Sequence, residues 1–133
     1  MDKIFLDTNI IIDLLDSKRK NHTKAKNLFI KLIENDFEVF ISEDMITTIY
    51  YILKGNEKIL EFFEKIIEEW NIVGFGKDTI LESINYCKKH KTDLEDVLQC
   101  ICAKNNGCEL FITNDKKFIN CGIKIVNYDF FNL

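Results

Sequence analysis

The chain has 133 residues with 22 acidic and 18 basic side chains, which indicates a single domain, residues 1–133, able to bury about two-thirds of its unfolded surface. A hydrophobic fraction of 47% excludes a disordered chain, and no apolar stretch approaches the roughly 18 residues of a membrane span. The net charge of −4 argues against a protein that coats nucleic acid, but not against an enzyme that cuts it.

Five short β-type runs alternate along the chain with longer amphipathic segments rich in Lys and Glu. The runs cover residues 3–7, about 38–41, about 71–74, 109–113 and 123–126. Strands separated by helices pair in parallel through right-handed crossovers, so the pattern predicts a three-layer α/β/α sandwich with a central parallel sheet of about five strands. The first and fourth runs are continuous apolar triplets, which places them at the centre of the sheet and the other three nearer its periphery.

The helices are placed by their apolar stripes and caps. Asp13 and Asp16 fall on the polar side of the first helix, and Ser42 is a good N-cap for the third. A late helix opens with a capping box over residues 92–95 and is expected to bury Leu94, together with later apolar residues.

Cysteine usage and basic clusters carry weaker signals. The five cysteines are odd in number and contain no CxxC pair, and the start of the chain has no secretory pattern, so we expect reduced, mostly buried thiols in a cytoplasmic protein. Three basic clusters, at residues 18–20, 88–91 and 116–117, are either solvated surface or the rim of an acidic site.

Four aspartates are expected near the carboxyl edge of the predicted sheet, where ligands bind in open parallel sheets. Asp7 ends the first strand, Asp115 follows the fourth, and Asp93 and Asp96 lie in the first turn of the helix that enters the fourth. Converging carboxylates repel unless a cation neutralises them, and hard oxygen ligands suit Mg²⁺ or Mn²⁺ rather than zinc. The chemistry implied is hydrolysis or transfer at a phosphate ester.

Each of these residues also has a structural explanation. Asp93 and Asp96 suit a helix first turn because of the helix dipole, and Asp115 suits a turn. Asp7 is harder to explain in this way, because it stands between two apolar runs. Thr8 and Asn9 are either N-caps of the following helix or partners of metal-bound water.

Three segments in this order resemble the PIN domains, whose largest branch contains the toxin ribonucleases of VapBC toxin–antitoxin pairs. They read FLDTNIIIDLL at the start, DLEDVLQCICA at 93–103 and LFITNDKKF at 110–118, with ISEDMITTIYYILKG similar to a further block of the family. The resemblance spans nearly the whole chain. It implies a PIN-like fold and a Mg²⁺- or Mn²⁺-dependent endoribonuclease, silenced by an antitoxin protein and able to form a homodimer.

Carried over by position, the resemblance implies metal binding by Asp7, Asp96 and Asp115, with Asp93 as an accessory acid. The residues expected to contact these ligands, rather than the metal itself, are Thr8, Asn9, Thr48 and Asn114.

One position departs from the family pattern. Many members have a helical glutamate where this chain has Thr48, while Glu43 and Asp44 lie a turn or more earlier. We hypothesise that Asp93, as the only spare acid beside the cluster, partly replaces it. The alternative is a catalytically weak or inactive PIN-like module that binds RNA or a protein partner. A haloacid-dehalogenase-like phosphatase is disfavoured because it would need a second aspartate at Asn9.

Overall fold

A computed structural model describes residues 2–132, which form a parallel five-stranded sheet with helices packed against it. The strands are β1 (Lys3–Leu6), β2 (Glu38–Ser42), β3 (Asn71–Val73), β4 (Leu110–Ile112) and β5 (Lys124–Val126). The helices are α1 (Thr8–Leu15), α2 (His22–Glu34), α3 (Asp44–Ile52), α4 (Glu57–Glu69), α5 (Gly76–His90) and α6 (Leu94–Asn105), followed by a 3₁₀ turn, η1 (Tyr128–Phe131). The predicted α/β sandwich with a parallel sheet is confirmed. No helix within residues 2–132 is both long and apolar enough to cross a membrane.

The strand order, β3-β2-β1-β4-β5, places the first strand at the centre of the sheet. From β1 the chain adds β2 and then β3 on one side of the sheet, and it then crosses to the other side of β1, where β4 and β5 lie. The strand order therefore reverses between β1 and β4. Leu6 of β1 pairs with Ile112 of β4, which brings the carboxyl ends of these two strands level. The central places predicted for β1 and β4 are confirmed, and β3 and β5 lie at the edges. The peripheral place predicted for β2 is wrong, because β2 lies between β1 and β3.

Aromatic packing anchors the chain on both sides of the loop that follows β4. Phe5 and Phe111, both fully buried, stack with ring centroids 5.3 Å apart, and Phe111 stacks on Phe118 at 4.5 Å. Each buried phenylalanine contributes about 2–3 kcal/mol. The loop between Phe111 and Phe118 contains Asp115 and is therefore held at both ends by the core.

Two predicted helix starts are corrected. Ser42 is the last residue of β2 rather than the N-cap of α3, and its hydroxyl is buried without a hydrogen-bond partner. The cap of α6 is Asp93, whose side chain accepts from the first-turn amides, so Thr92 is not the N-cap. Leu94 is 44% exposed, because α6 begins beyond the edge of the core that its later turns cover.

The expectation that all five cysteines are reduced is wrong for two of them. Cys100 on α6 and Cys121 before β5 form a disulfide, with Cα atoms 6.2 Å apart. The pairing depends on how α6 packs against the segment before β5, which spacing in the sequence does not reveal. Cys87, Cys102 and Cys108 are free thiols. Burial raises the pKa of Cys102 to about 11 and that of Cys108 to about 12, so both are poor nucleophiles.

Candidate active site

Asp7 is fixed at the point where β1 ends and α1 begins. Its amide donates to the carbonyl of Ile112 at 2.9 Å, which extends the β1–β4 pairing by one bond. Its carboxylate accepts hydrogen bonds from the Thr8 amide at 2.9 Å, the Thr113 hydroxyl at 2.7 Å and the Asn9 side chain at 3.2 Å. Asp7 itself is the N-cap of α1, so the prediction that Thr8 or Asn9 caps this helix is wrong.

The loop after β4 is tied to the same corner of the molecule. The Thr113 hydroxyl accepts from the Asp115 amide at 3.1 Å, and the Asp115 carboxylate accepts from the Lys117 amide at 2.9 Å. The Asn114 amide donates to the Asn9 side chain at 3.2 Å. Asn9 and Asn114 thus link the carboxyl ends of β1 and β4. Thr113 does the same, and no sequence motif singled it out.

Asp13 links α1, the β4 loop and the end of the chain. Only 3% of it is exposed, and its carboxylate accepts from Arg19 at 3.0 Å, from the Tyr128 hydroxyl at 2.8 Å and from the Asn114 side chain. The predicted solvent-facing position of Asp13 is therefore wrong. A buried carboxylate is tolerated when several donors surround it, and the apolar residues on both sides of Asp13 were the available signal. Burial and the hydrogen bond to Asp13 raise the pKa of Tyr128 well above its ordinary value.

The first turn of α6 carries the other predicted acids. One Asp93 carboxylate oxygen accepts from the amides of Glu95 at 2.8 Å and Asp96 at 3.3 Å, so Asp93 is the N-cap of α6 rather than a first-turn residue as predicted. This cap fixes the first turn of α6, which contains Asp96.

The predicted acids lie where β1 and β4 end and where α6 begins. Burial, followed by the charges of Asp93, Asp7 and Asp115, raises the pKa of Asp96 to about 6. Burial is also the main cause of a raised pKa at Asp7, to which the charge of Asp115 adds, while the bonds from Thr113, Thr8 and Asn9 act in the opposite direction. The structure therefore brings Asp7, Asp93, Asp96 and Asp115 to one edge of the sheet.

Two further acids, which the sequence analysis did not assign to the site, join this group. Burial and then the charges of Asp44, Asp93 and Asp7 raise the pKa of Glu95. Asp44, in the first turn of α3, also accepts a hydrogen bond from the Gln99 side chain of α6 at 3.4 Å. The premise that Asp93 is the only spare acid is therefore wrong.

Thr48 does not reach toward the acids with its hydroxyl. This hydroxyl donates to the carbonyl of Asp44 one turn earlier in α3, at 3.2 Å, and is satisfied within its own helix. The acid that α3 presents near the site is therefore Asp44, not a residue at position 48.

The oxygen atoms available as ligands suit a hard divalent cation such as Mg²⁺ or Mn²⁺. Every candidate ligand is a carboxylate, and the buried Gln99 side chain, 2% exposed, has a carbonyl oxygen without a hydrogen-bond partner. As placed in residues 2–132, no three His, Cys, Asp or Glu side chains form a group that could hold an ion. Binding a cation would therefore require the carboxylates to draw closer, which the repulsion between them opposes until the cation is present.

The fold is a five-stranded parallel α/β sandwich that carries carboxylates where its strand order reverses, between β1 and β4. The family model of the PIN domain matches residues 4–124, and the chain belongs to this family. It is 34% identical over 134 residues to Ribonuclease VapC1 of Aquifex aeolicus, a match that covers 98% of this chain and 93% of that protein. The resemblance read from the sequence segments is confirmed.

Solved structures show the same fold. VapC20 of Mycobacterium tuberculosis, a toxin described as cleaving the sarcin–ricin loop, matches with a TM-score of 0.72 and 16% identity over 86% of this chain and 92% of that one. A toxin–antitoxin complex from Klebsiella pneumoniae matches with a TM-score of 0.71 and 21% identity over 94% and 97% of the two chains. At these identities the likeness establishes the fold alone.

Proposed function

We propose that this chain is a divalent-metal-dependent endoribonuclease and the toxin of a toxin–antitoxin pair. The observation that carries the proposal is the position of Asp7 at the end of β1 and of Asp115 after β4, its neighbour in the sheet, with Asp96 in the first turn of α6. Membership of the PIN family and 34% identity to a protein named as a ribonuclease support the choice of RNA as substrate.

Asp7, Asp96 and Asp115 would hold Mg²⁺ or Mn²⁺, with Asp93 and Asp44 adding negative charge beside them. When bound, the ions supply an activated water and stabilise the leaving oxygen of a phosphodiester. The chain's own part is to place the carboxylates before the substrate arrives. Thr113 and Asn9 fix one oxygen of Asp7 through two hydrogen bonds, which reduces the reorganisation needed at the reacting centre.

The proposed protein partner is an antitoxin. A toxin–antitoxin complex is among the structures that share the fold, and a ribonuclease that cuts the cell's own RNA has to be held inactive until it is needed. A homodimer and a cytoplasmic location belong to the same proposal.

The decisive experiment is a cleavage assay with purified protein, Mn²⁺ or Mg²⁺, and both structured and single-stranded RNAs. We expect cleavage that EDTA abolishes and that Asp96→Asn reduces by at least about a hundredfold, since loss of one ligand removes both charge and geometry. Asp36→Asn is the matched control, because this exposed acid precedes β2 at the opposite edge of the sheet. Cleavage that survives EDTA or Asp96→Asn would not come from the proposed metal site, and a protein with no cleavage that EDTA and Asp96→Asn both remove would contradict the proposal.

One observation favours a second candidate, a PIN-like module that binds RNA or protein without cutting. The helical acid expected at Thr48 is missing, and the Thr48 hydroxyl is engaged within its own helix. Isothermal titration with Mn²⁺ separates the two candidates. Carboxylate-dependent Mn²⁺ binding together with cleavage supports the nuclease, whereas RNA binding without Mn²⁺ binding or cleavage supports the module.

A further inference from the structure

Two of the three basic clusters, which lie about a hundred residues apart in the chain, meet beside the acidic site. Lys20 in the α1–α2 loop, Lys24 in the first turn of α2 and Lys116 in the β4 loop line one cavity of about 220 Å³. Asn114 and Asn127 also line it. All three lysines are exposed, so their ammonium groups are accessible to a ligand.

Among the described residues, no carboxylate forms an ion pair with the lysines of this cavity. Within residues 2–132 the ion pair present is Arg19 with Asp13, so none of the three lysines has a carboxylate within 4.0 Å. The cavity contains one acid, Asp129, against three cations. Its net positive charge differs in sign from that of the whole chain, which is −4. An anion is the ligand that this charge selects.

The basic cavity adjoins a second cavity that contains Asp115, one of the proposed metal ligands. A neighbouring cavity of about 310 Å³ is lined by Thr113 and Asp115 and shares Asn114, Lys116 and Asn127 with the basic one. Asn114 forms part of both walls and is held by bonds to Asn9 and Asp13. A polynucleotide could therefore run from Asp115 to Lys20 and Lys24 without leaving the surface.

We propose that the cavity lined by Lys20, Lys24 and Lys116 binds a backbone phosphate of the RNA on one side of the bond to be cut. This inference rests on the proposed function and specifies which surface carries the substrate. It also explains how a chain of net charge −4, with an acidic centre that repels RNA, attracts its substrate at all. Phosphate contacts position a nucleic acid without reading its sequence, so the cavity would set the register of the cut rather than its specificity.

The third basic cluster provides a matched control. Lys88 and Lys89 lie in the last turn of α5, where positive charge is favoured by the helix dipole, and they line neither cavity. Lys88→Gln/Lys89→Gln therefore removes the same charge as Lys20→Gln/Lys24→Gln without touching the proposed phosphate site.

The test measures binding of a fluorescently labelled single-stranded RNA of random sequence by anisotropy, in EDTA, over a series of salt concentrations. We expect Lys20→Gln/Lys24→Gln to weaken binding about tenfold at low salt and to lower the slope of log K against log salt by about 0.7, the value for one phosphate on a single strand. Lys20→Arg/Lys24→Arg should restore both, because arginine also binds phosphate. The Lys88→Gln/Lys89→Gln control should leave the slope unchanged.

Equal effects of the two double glutamine variants would overturn the proposal, since binding would then depend on net charge alone. Mn²⁺ titration and circular dichroism of Lys20→Gln/Lys24→Gln should match the parent protein; if they do not, single variants at Lys24 and Lys116 give the same comparison. Failure of this inference is distinguishable from failure of the proposed function. Metal-dependent cleavage with equal salt slopes refutes the phosphate site alone, and a slope difference without any cleavage refutes the nuclease alone.

Discussion

Replacing Asp96 with asparagine should make the metal-free protein more stable at neutral pH, although it removes a proposed ligand. The pKa of Asp96 rises from 3.8 to about 6, so its ionised form is less favourable in the folded chain than in the unfolded one. A shift of this size corresponds to about 3 kcal/mol for a buried group. Because Asp96 is half-buried and screened by solvent, we expect about 1–2 kcal/mol.

The net gain is smaller, because a charge is also lost from the first turn of α6. A negative charge there interacts favourably with the helix dipole by about 0.5 kcal/mol. The remaining gain of about 1 kcal/mol corresponds to an increase in Tm of about 4 °C for a chain of this length.

The stability difference between Asp96→Asn and the parent protein should depend on pH. The ionised Asp96 destabilises the fold above its folded pKa of about 6, and the cost disappears as pH falls toward its unfolded value of 3.8. Thermal denaturation in EDTA should therefore show Asp96→Asn above the parent protein at pH 7.5 and close to it at about pH 4. Mn²⁺ should raise the Tm of the parent at pH 7.5 but not that of the variant.

Asp36→Asn should change none of these values, because Asp36 is exposed and its positive φ of 56° suits asparagine. The reasoning is refuted if Asp96→Asn lowers the Tm in EDTA at pH 7.5, or if the difference from the parent is the same at both pH values.

Four further substitutions test single contacts in and around the site. Asp13→Asn should cost about 2–4 kcal/mol in urea denaturation, because it removes a buried charge that accepts from Arg19, Asn114 and Tyr128; a loss below about 1 kcal/mol would contradict the network. Thr113→Val should move the acidic limb of the cleavage profile to higher pH, because the hydroxyl that lowers the pKa of Asp7 is lost; an unchanged limb would show that this bond has no role in activity. Asp44→Ala should weaken Mn²⁺ binding severalfold in calorimetry, whereas Asp93→Ala should mainly cost about 1 kcal/mol as a lost helix cap; the reverse result would restore Asp93 as the acid that replaces the missing glutamate.

Much of the framework could be predicted from the sequence, because it depends on local patterns. Apolar triplets before Asp7 and Asp115 mark buried strands, and the amphipathic segments between strands imply parallel pairing through crossovers. Parallel strands share one carboxyl edge, so acids that follow two neighbouring strands must lie near each other. For this reason the strand pattern alone indicates that Asp7 and Asp115 lie at the same edge of the sheet.

Other features depend on contacts between distant parts of the chain. The spacing of apolar residues within one helix or strand does not reveal such contacts. The Thr113 hydroxyl bonds an aspartate 106 residues away, and Asp13 bonds Tyr128 across 115 residues. The apolar residues of a helix show which face is buried, but they do not show which polar residue beside that face will also be buried. For this reason the sequence predicts a solvent-facing Asp13, whereas the structure buries it.

The same limit applies to the accessory acid, the disulfide and the basic cavity. Asp44 comes near the site because α3 lies beside α6, whose Gln99 donates to it, and Cys100 meets Cys121 only through the packing of α6. The sequence by itself determined the succession of strands and helices along the chain and the acids that follow two of the strands, since these features depend on neighbouring residues. The tertiary structure alone decided which side chains support and surround those acids, because their partners come from segments that only the finished packing brings together.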